Sequence, residues 1–250
     1  MVRSNLYNTL FRKNQSGGKG NALSFFSNIK SGNFMKLLQN KKEFLTFVFA
    51  NLIMQLGITY YVMEKSHKDA DGKNMNKSMS ILFFVLFFIV SIALILLMVS
   101  DIPIWTKLIA FTIFSAIEGY FLSFIKYFVD PAIIQMAVAG TMGIFSSMFI
   151  FGMLLILLGI QLSNAFGGVL LFALLGLIIT RIVFMFMGNY SHFAKGFAIF
   201  ALGLFSLFII YDTNQIMQRD YFGDFVTASL DYYLDIINIF VNLTRVMDNN

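Results

Sequence analysis

The chain has 250 residues, of which 58% are hydrophobic and only 12% charged, about half the charged share of an ordinary soluble domain. One soluble core of this length cannot hide so much apolar surface, so a disordered chain, a collagen-like chain and almost any soluble enzyme are excluded and a polytopic membrane protein is expected. The absence of cysteine removes disulfide frameworks, thiolate metal sites and cysteine nucleophiles. The net charge of +5 does not point to nucleic acid, because much of the excess sits in one tail.

That tail is residues 1–43. It carries Arg3, Arg12, Lys13, Lys19, Lys30, Lys36, Lys41 and Lys42 against the single acid Glu43, the pattern of a cytoplasmic segment under the positive-inside rule. No apolar core begins before residue 44, so it does not read as a cleaved signal. Residues 44–250 are predicted to form the membrane domain.

The first predicted span is 44–63, uncharged and long enough to cross about 30 Å of hydrocarbon as a helix. A polar loop follows, then a second uncharged span over 79–100, closed by Asp101-Ile102-Pro103 because proline breaks the helical ladder. The third runs over 105–127 and contains Glu118. Residues 131–180 carry no charge, too long a stretch for one helix. The Gly-, Ser- and Asn-containing segment GIQLSNAFGG predicts a turn inside it, giving a fourth helix over 132–158 and a fifth over 164–187. The sixth is predicted over 193–217 and the seventh over 228–247.

Ionisable groups inside a bilayer are expensive and usually face a bundle interior or a water-filled path. In the seventh span Asp231, Asp235, Asn238, Asn242 and Arg245 are spaced four, three, four and three apart, one polar stripe on a helix. Such a helix should be enclosed by the others, its stripe lining either a path or a structural hydrogen-bond network. In the sixth, Asp212, Gln215 and Arg219 share a face. At a rise of about 1.5 Å per residue, Asp212 lies about 8 Å and Asp235 about 10 Å from the ends where these two helices join. The two carboxyls are therefore expected at one depth on consecutive antiparallel helices. Two carboxylates in one poorly solvated site cannot both ionise cheaply, so the pair is a candidate proton sensor, and its hard oxygens suit Ca²⁺.

Glu118 is expected near the midplane, either extending an acidic path or bonding to a neighbouring helix. Arg181 is expected to snorkel to the headgroups. His67 and His192 read as surface residues, and Ala139, Gly143 and Ser147 as a close helix-packing face. No nucleophile-and-base set and no phosphate-binding loop occurs, so no enzyme is expected.

Two segments, YDTNQI (211–216) and SLDYYLDIINIFVNLTRVM (229–247), resemble the Y-D-x-x-Q-I and L-Y-L-D-x-x-N-x-F patterns of the Bax inhibitor family of membrane proteins. EGYFLSFI (118–125) and AGTMGIFSSMFIFG (139–152) are similar to its third- and fourth-helix patterns less specifically. The resemblance, that of a bacterial-type member, covers about 44–247. It implies an all-α fold of seven transmembrane helices with the C-terminal helix central, wrapped by six. It also implies a pH-sensitive calcium leak whose paired aspartates map onto Asp212 and Asp235. Bacterial members often carry an arginine at the inner end of the second helix; here that stretch reads VSDIPIWTK. Asp231 stands where a small or uncharged residue is usual, and the loop between the fourth and fifth helices lacks its usual charges.

The function expected is a pH-sensitive, calcium-permeable leak channel in the cell membrane. Asp212 and Asp235 would be proton sensor and calcium ligands. Asp231 and Glu118 would be secondary acidic stations, and Asn238 and Asn242 polar lining. No organic cofactor and no nucleic acid are expected; Ca²⁺, protons, the bilayer and other membrane proteins are the expected partners. The rival readings are a proton-coupled small-solute carrier and a non-transporting scaffold that regulates other membrane proteins.

The charge pattern puts the N-terminus inside and, after seven spans, the C-terminus outside. In a chain with no native thiol, an impermeant reagent on intact cells should label Lys73→Cys and Asn249→Cys and spare Ser16→Cys. Labelling of position 16 with sparing of 73 reverses the orientation.

Overall fold

The computed structural model describes residues 31–66, 77–187 and 190–248. Seven helices follow one another: α1 (Ser31–Lys65), α2 (Lys77–Val99), α3 (Ile104–Leu122), α4 (Pro131–Leu157), α5 (Asn164–Phe186), α6 (Tyr190–Gln218) and α7 (Phe225–Met247), with a 3₁₀ turn over Ser123–Tyr127 after α3. Among the described residues there is no strand. α1 begins inside the predicted tail, so the boundary at 44 is a change of charge and not a break in the helix. The first 30 residues, His67 and the three labelling positions lie outside the described residues, as does the side chain of His192.

Five helices, α1 and α3 to α6, are long and apolar enough to cross a membrane; in α2 the apolar stretch among described residues is the shorter Leu86–Val99. Their ends follow from local chemistry. Asp130 caps α4 by accepting from the Ala132 amide at 2.7 Å, with Pro131 in the first turn. α4 ends in a paired motif in which Gly159 N donates to Ile156 O and Ile160 N to Leu155 O. That motif needs a left-handed residue, which Gly159 supplies at φ 75°. Asp224 caps α7 through the Thr227 amide at 3.1 Å.

α7 is the axis of the bundle. It packs against α6, α1, α4, α3 and α2, and α5 reaches it through Arg181, whose Nη2 donates to Asn242 Oδ1 at 2.8 Å. Tyr232 and Tyr233 stand about 100° apart round α7 and are fully buried. Tyr232 sits among Phe49, Phe145 and Phe149 and donates to Thr213 Oγ1 of α6 at 3.0 Å. Tyr233 sits edge-on to Phe111 and Phe114 of α3, and its hydroxyl lies 2.6 Å from Thr59 Oγ1 of α1. Each ring thus brings a large apolar surface and satisfies its polar tip across a helix boundary. The outward faces carry large apolar side chains, Phe172 and Val169 among them, as a lipid-facing surface requires.

Glycines set the closest approaches, though not those expected. Gly143 and Ser147 are exposed, as is Ala139, and a methyl group at Gly143 would meet nothing. The predicted packing face therefore looks outward. The contacts lie instead at Gly119, which abuts the Thr59 carbonyl of α1, and at Gly152, where an added Cβ would stand 2.8 Å from Thr213 Cβ and 3.1 Å from the Ile210 carbonyl of α6.

At the end of the bundle where α6 turns into α7, Lys107 is buried and forms an ion pair with Asp224 at 2.5 Å. Burial works to raise the Asp224 carboxyl, but the bonds from Lys107, the Thr227 amide and the Thr227 hydroxyl prevail and hold it below the ordinary carboxylate value.

Two outcomes are expected. Gly119→Ala should destabilise by about 1–3 kcal/mol although alanine is the better helix former by about 1 kcal/mol, because the opposing atom is helix backbone. Gly143→Ala should be neutral or slightly stabilising. Thermal unfolding in detergent checks both, and a Gly119→Ala protein that melts no earlier overturns the close contact. The depressed Asp224 carboxyl contributes stability that is present above about pH 4 and lost as pH falls through its folded value. Asp224→Asn should therefore lower stability at pH 7 by roughly 1–3 kcal/mol, less than for a fully enclosed pair, and reduce the further loss at low pH. Parallel loss in wild type and variant on acidification removes this linkage.

Candidate functional site

The stripe on α7 is enclosed over most of its length. Asp235 and Asn242 are buried, Asp231 and Asn238 half-buried, and only Arg245 at the end of the helix is exposed. The two asparagines bond within their own helix: Asn238 Nδ2 donates to Leu234 O at 2.8 Å and Asn242 Nδ2 to Asn238 O at 2.7 Å. Asn242 also accepts from Arg181, which donates to Phe197 O as well. Arg181 thus turns inward into the helix junction and does not snorkel to the headgroups. A guanidinium that finds an amide oxygen and a backbone carbonyl is held better there than by water alone.

The structure brings Asp212 of α6 and Asp235 of α7 together, the carboxyls within hydrogen-bonding reach of each other. Asp235 is 4% exposed, and its Oδ2 is buried with no hydrogen-bond partner among the described residues. An acceptor in that position has lost its hydration and needs a donor from within the protein. A bond between two carboxyl groups needs a proton held by one of them. Asp231 lies one turn from Asp235 and acts electrostatically on both members of the pair. Among the described residues no cluster of three or more His, Cys, Asp or Glu is arranged to hold a metal ion. The pair offers at most two carboxylate ligands, well short of the oxygen cage of a tight calcium site.

Glu118 is not brought to the pair. It is half-buried on α3 and acts on Tyr233. Tyr233 lies two residues from Asp235, about 200° round the helix. The acidic path from the pair to Glu118 is therefore interrupted by the body of α7.

Gln215 does not line the site either. With Asn214 it holds the turn between α4 and α5. Asn214 Oδ1 accepts from Leu162 N at 2.8 Å, Asn214 Nδ2 donates to Ile160 O at 3.0 Å, and Gln215 Nε2 donates to Leu162 O at 2.7 Å. The polar residues of YDTNQI thus divide their work, the aspartate facing α7 and the amides clamping a turn that has no charges of its own.

Three features escape the charge-based reading. The first is a neutral network between α1, α3 and α7. Asn51 Nδ2 donates to Ser229 Oγ, Gln55 Nε2 to Asn51 Oδ1, and Ser115 Oγ to Gln55 Oε1. Thr59 continues it to Tyr233. Asn51, Gln55 and Thr59 are four apart, so the period was visible in the sequence; the spans were cut by charge, and these residues carry none. The second is Lys107, buried near the start of α3 and legible as a cation inside a span. The third is Tyr221, in the turn over 219–224. Its ring lies 5.6 Å from Phe44 and its hydroxyl 3.5 Å from Asp231 Oδ2. Burial keeps this hydroxyl protonated far above the ordinary phenol range, with Asp231 and Asp212 adding to the effect and Arg219 opposing it. Arg219 also acts electrostatically on Asp212 and Asp231.

Known proteins place these features in a family. The family described as inhibitor of apoptosis-promoting Bax1 (Bax1-I) matches residues 41–250. Bax inhibitor 1 of Schizosaccharomyces pombe is 31% identical over 147 residues, 55% of this chain and 53% of that protein. An uncharacterized membrane protein of Streptococcus pyogenes serotype M6 is 27% identical over 151 residues, 56% of this chain and 62% of that one. Protein LIFEGUARD 1 of Arabidopsis thaliana is 28% identical over 80 residues, 30% of this chain and 34% of its own. The aligned region spans about half the length of the Schizosaccharomyces relative. The family pattern runs through all seven helices described above, and the chain belongs to the Bax inhibitor family of multi-pass membrane proteins.

Proposed function

We propose that this protein is a pH-sensitive, calcium-permeable leak channel of the cell membrane, with its basic N-terminal side in the cytoplasm and no organic cofactor. The observation that carries the reading is the meeting of Asp212 and Asp235 across α6 and α7, with Asp235 buried. Such a pair is a proton-binding site whose occupancy changes the local charge between the two helices. A site of two carboxylates, without further acidic ligands around it, favours passage over storage, since conduction requires an ion to leave as readily as it enters. Asp231, one turn nearer the α6–α7 turn, would be the acidic station before the pair, and Asn238 and Asn242 the polar lining beyond it.

A proton-coupled carrier would use the same pair as its proton site and is separated from a leak by solute-dependent proton flux. The family description, inhibitor of apoptosis-promoting Bax1, supports a second reading, in which the protein acts as a scaffold on other membrane proteins without transport. The two readings differ on the aspartates, which a scaffold does not need.

Calcium entry into liposomes holding the purified protein, followed from pH 5 to 8, distinguishes them. The wild type should admit calcium at a rate that depends on pH. Asp212→Asn and Asp235→Asn should each flatten that dependence, because a shared proton has lost one of its two holders. Unaltered pH curves in both variants remove the sensor assignment, and the absence of calcium entry at every pH removes the channel.

A further inference from the structure

The turn between α6 and α7, residues 219–224, is fastened at both ends. At its start Lys41 Nζ donates to the Arg219 carbonyl and Arg219 Nη2 to Asn164 Oδ1. At its end Asp224 pairs with buried Lys107 and caps α7. Between the fastenings Phe222 stands at φ 50° and Gly223 at φ 88°, two left-handed residues in succession. The reversal throws Phe222 outward, 91% exposed, while Tyr221 is half-buried against the bundle. The Tyr221 ring rests on Phe44 of α1 and its hydroxyl points at Asp231. Asp231 is one turn from Asp235, so Phe44, Tyr221, Asp231 and the carboxyl pair form a line from the end of the bundle into its interior.

We propose that Tyr221 is the gate of the carboxylate site and that the N-terminal stretch of α1, through Phe44 and Lys41, holds it closed. The inference rests on the reading of the pair as an ion site. The Tyr221 side chain stands beside Asp231, the first of the stripe's acids after the turn and itself half-buried, and an aromatic ring there narrows the approach of water or a hydrated cation. The hydroxyl bond, at 3.5 Å, is at the outer limit of a hydrogen bond, so the Phe44 contact and the Lys41 anchor carry the closed position. Both anchors belong to α1 and not to the helices that bear the acids. A small displacement of the start of α1 therefore moves Tyr221 without moving Asp212, Asp231 or Asp235. A non-glycine residue held left-handed stores strain, so the turn relaxes away from its closed form when the anchors release it. The stretch of α1 that leads into this contact, with Lys36, Lys41 and Lys42, is basic. Its position would respond to an anionic membrane surface.

The test needs no transport. In Asp231→Cys, the only thiol of the chain, the rate of reaction with a small charged thiol reagent in lipid nanodiscs reports access to the site. Adding Tyr221→Ala should raise that rate about tenfold or more, and adding Phe44→Ala roughly fivefold, the scale of one aromatic contact. Tyr221→Phe, which keeps the ring, should stay within about twofold of the parent, because the thiol background already lacks the carboxylate that the hydroxyl faces and the ring alone sets access. Phe44→Ala and Tyr221→Ala together should be no faster than Tyr221→Ala alone, because both remove one element. An unchanged rate in Tyr221→Ala, or independent effects of the two alanines, overturns the gate. If Tyr221→Ala does not fold, Phe44→Ala decides: an unchanged rate there overturns the gate equally. Calcium entry measured on the gate variants in an Asp231 background separates the two readings. Faster labelling without calcium entry in any of them keeps the gate and removes the channel, whereas calcium entry with flat labelling does the reverse.

Discussion

Two carboxyl groups facing each other inside an apolar bundle are the constraint on which the rest of this structure depends. Like charges about 4 Å apart repel by as much as roughly 4 kcal/mol at an effective dielectric near 20, and desolvation adds to that. No lipid-facing helix can present such a group, so the helix with the stripe must be surrounded. The fold satisfies this by making α7 the axis and placing its largest buried side chains, Tyr232 and Tyr233, about 100° apart round it. One tyrosine fixes α7 to α6 through Thr213, the other to α1 through Thr59. With both fixed, the rotation of α7 is determined, and Asp235 has to face Asp212.

The two sides of α7 are joined by different means. Toward α1 and α3 the joint is a neutral hydrogen-bonded chain of Asn51, Gln55, Ser115 and Ser229, with Gly119 letting α3 come close to α1. Interhelical hydrogen bonds in a membrane contribute about 0.6–2 kcal/mol each, so several in succession make a firm contact without introducing charge. Toward α4 the approach depends on Gly140, where an added Cβ would stand 2.7 Å from Leu243 Cδ2 of α7, a contact of shape and not of polar bonding. The ion pairs of Lys107 with Asp224 and of Lys126 with Glu64 lie at helix ends, outside the central stripe.

Much of this was legible in the sequence because charge is expensive in a membrane. The spans appear as charge-free intervals, and α4 and α5 were separable at the Gly159 turn because a left-handed cap leaves a glycine behind. The pairing of Asp212 with Asp235 followed from depth alone. What the sequence hid was direction around a helix. Glu118 shares the membrane with the pair but faces Tyr233, and Gln215 shares a face with Asp212 yet reaches for the Leu162 carbonyl. A stripe of small residues is also ambiguous, since the spacing of Ala139, Gly143 and Ser147 says that backbones can approach there and not that they do. Arg181 departs from the snorkelling expectation for a related reason: that expectation places polar partners only at the surface, whereas the bundle supplies Asn242 and the Phe197 carbonyl.

The position of the axis in the chain order has its own consequence. α7 follows the other six helices, so during synthesis, which proceeds from the N-terminus, those six enter the membrane before the element around which they close. Until it arrives, Asn51 and Thr59 on α1 and Thr213 on α6 lack their α7 partners Ser229, Tyr233 and Tyr232, and the first six helices surround an unfilled centre. The last helix, with two aspartates and an arginine, is a poor candidate for insertion into bare lipid. It is a good one for insertion into that waiting ring. Assembly is thereby ordered: the polar groups that make the ring unstable on its own are the ones that receive the helix which completes it.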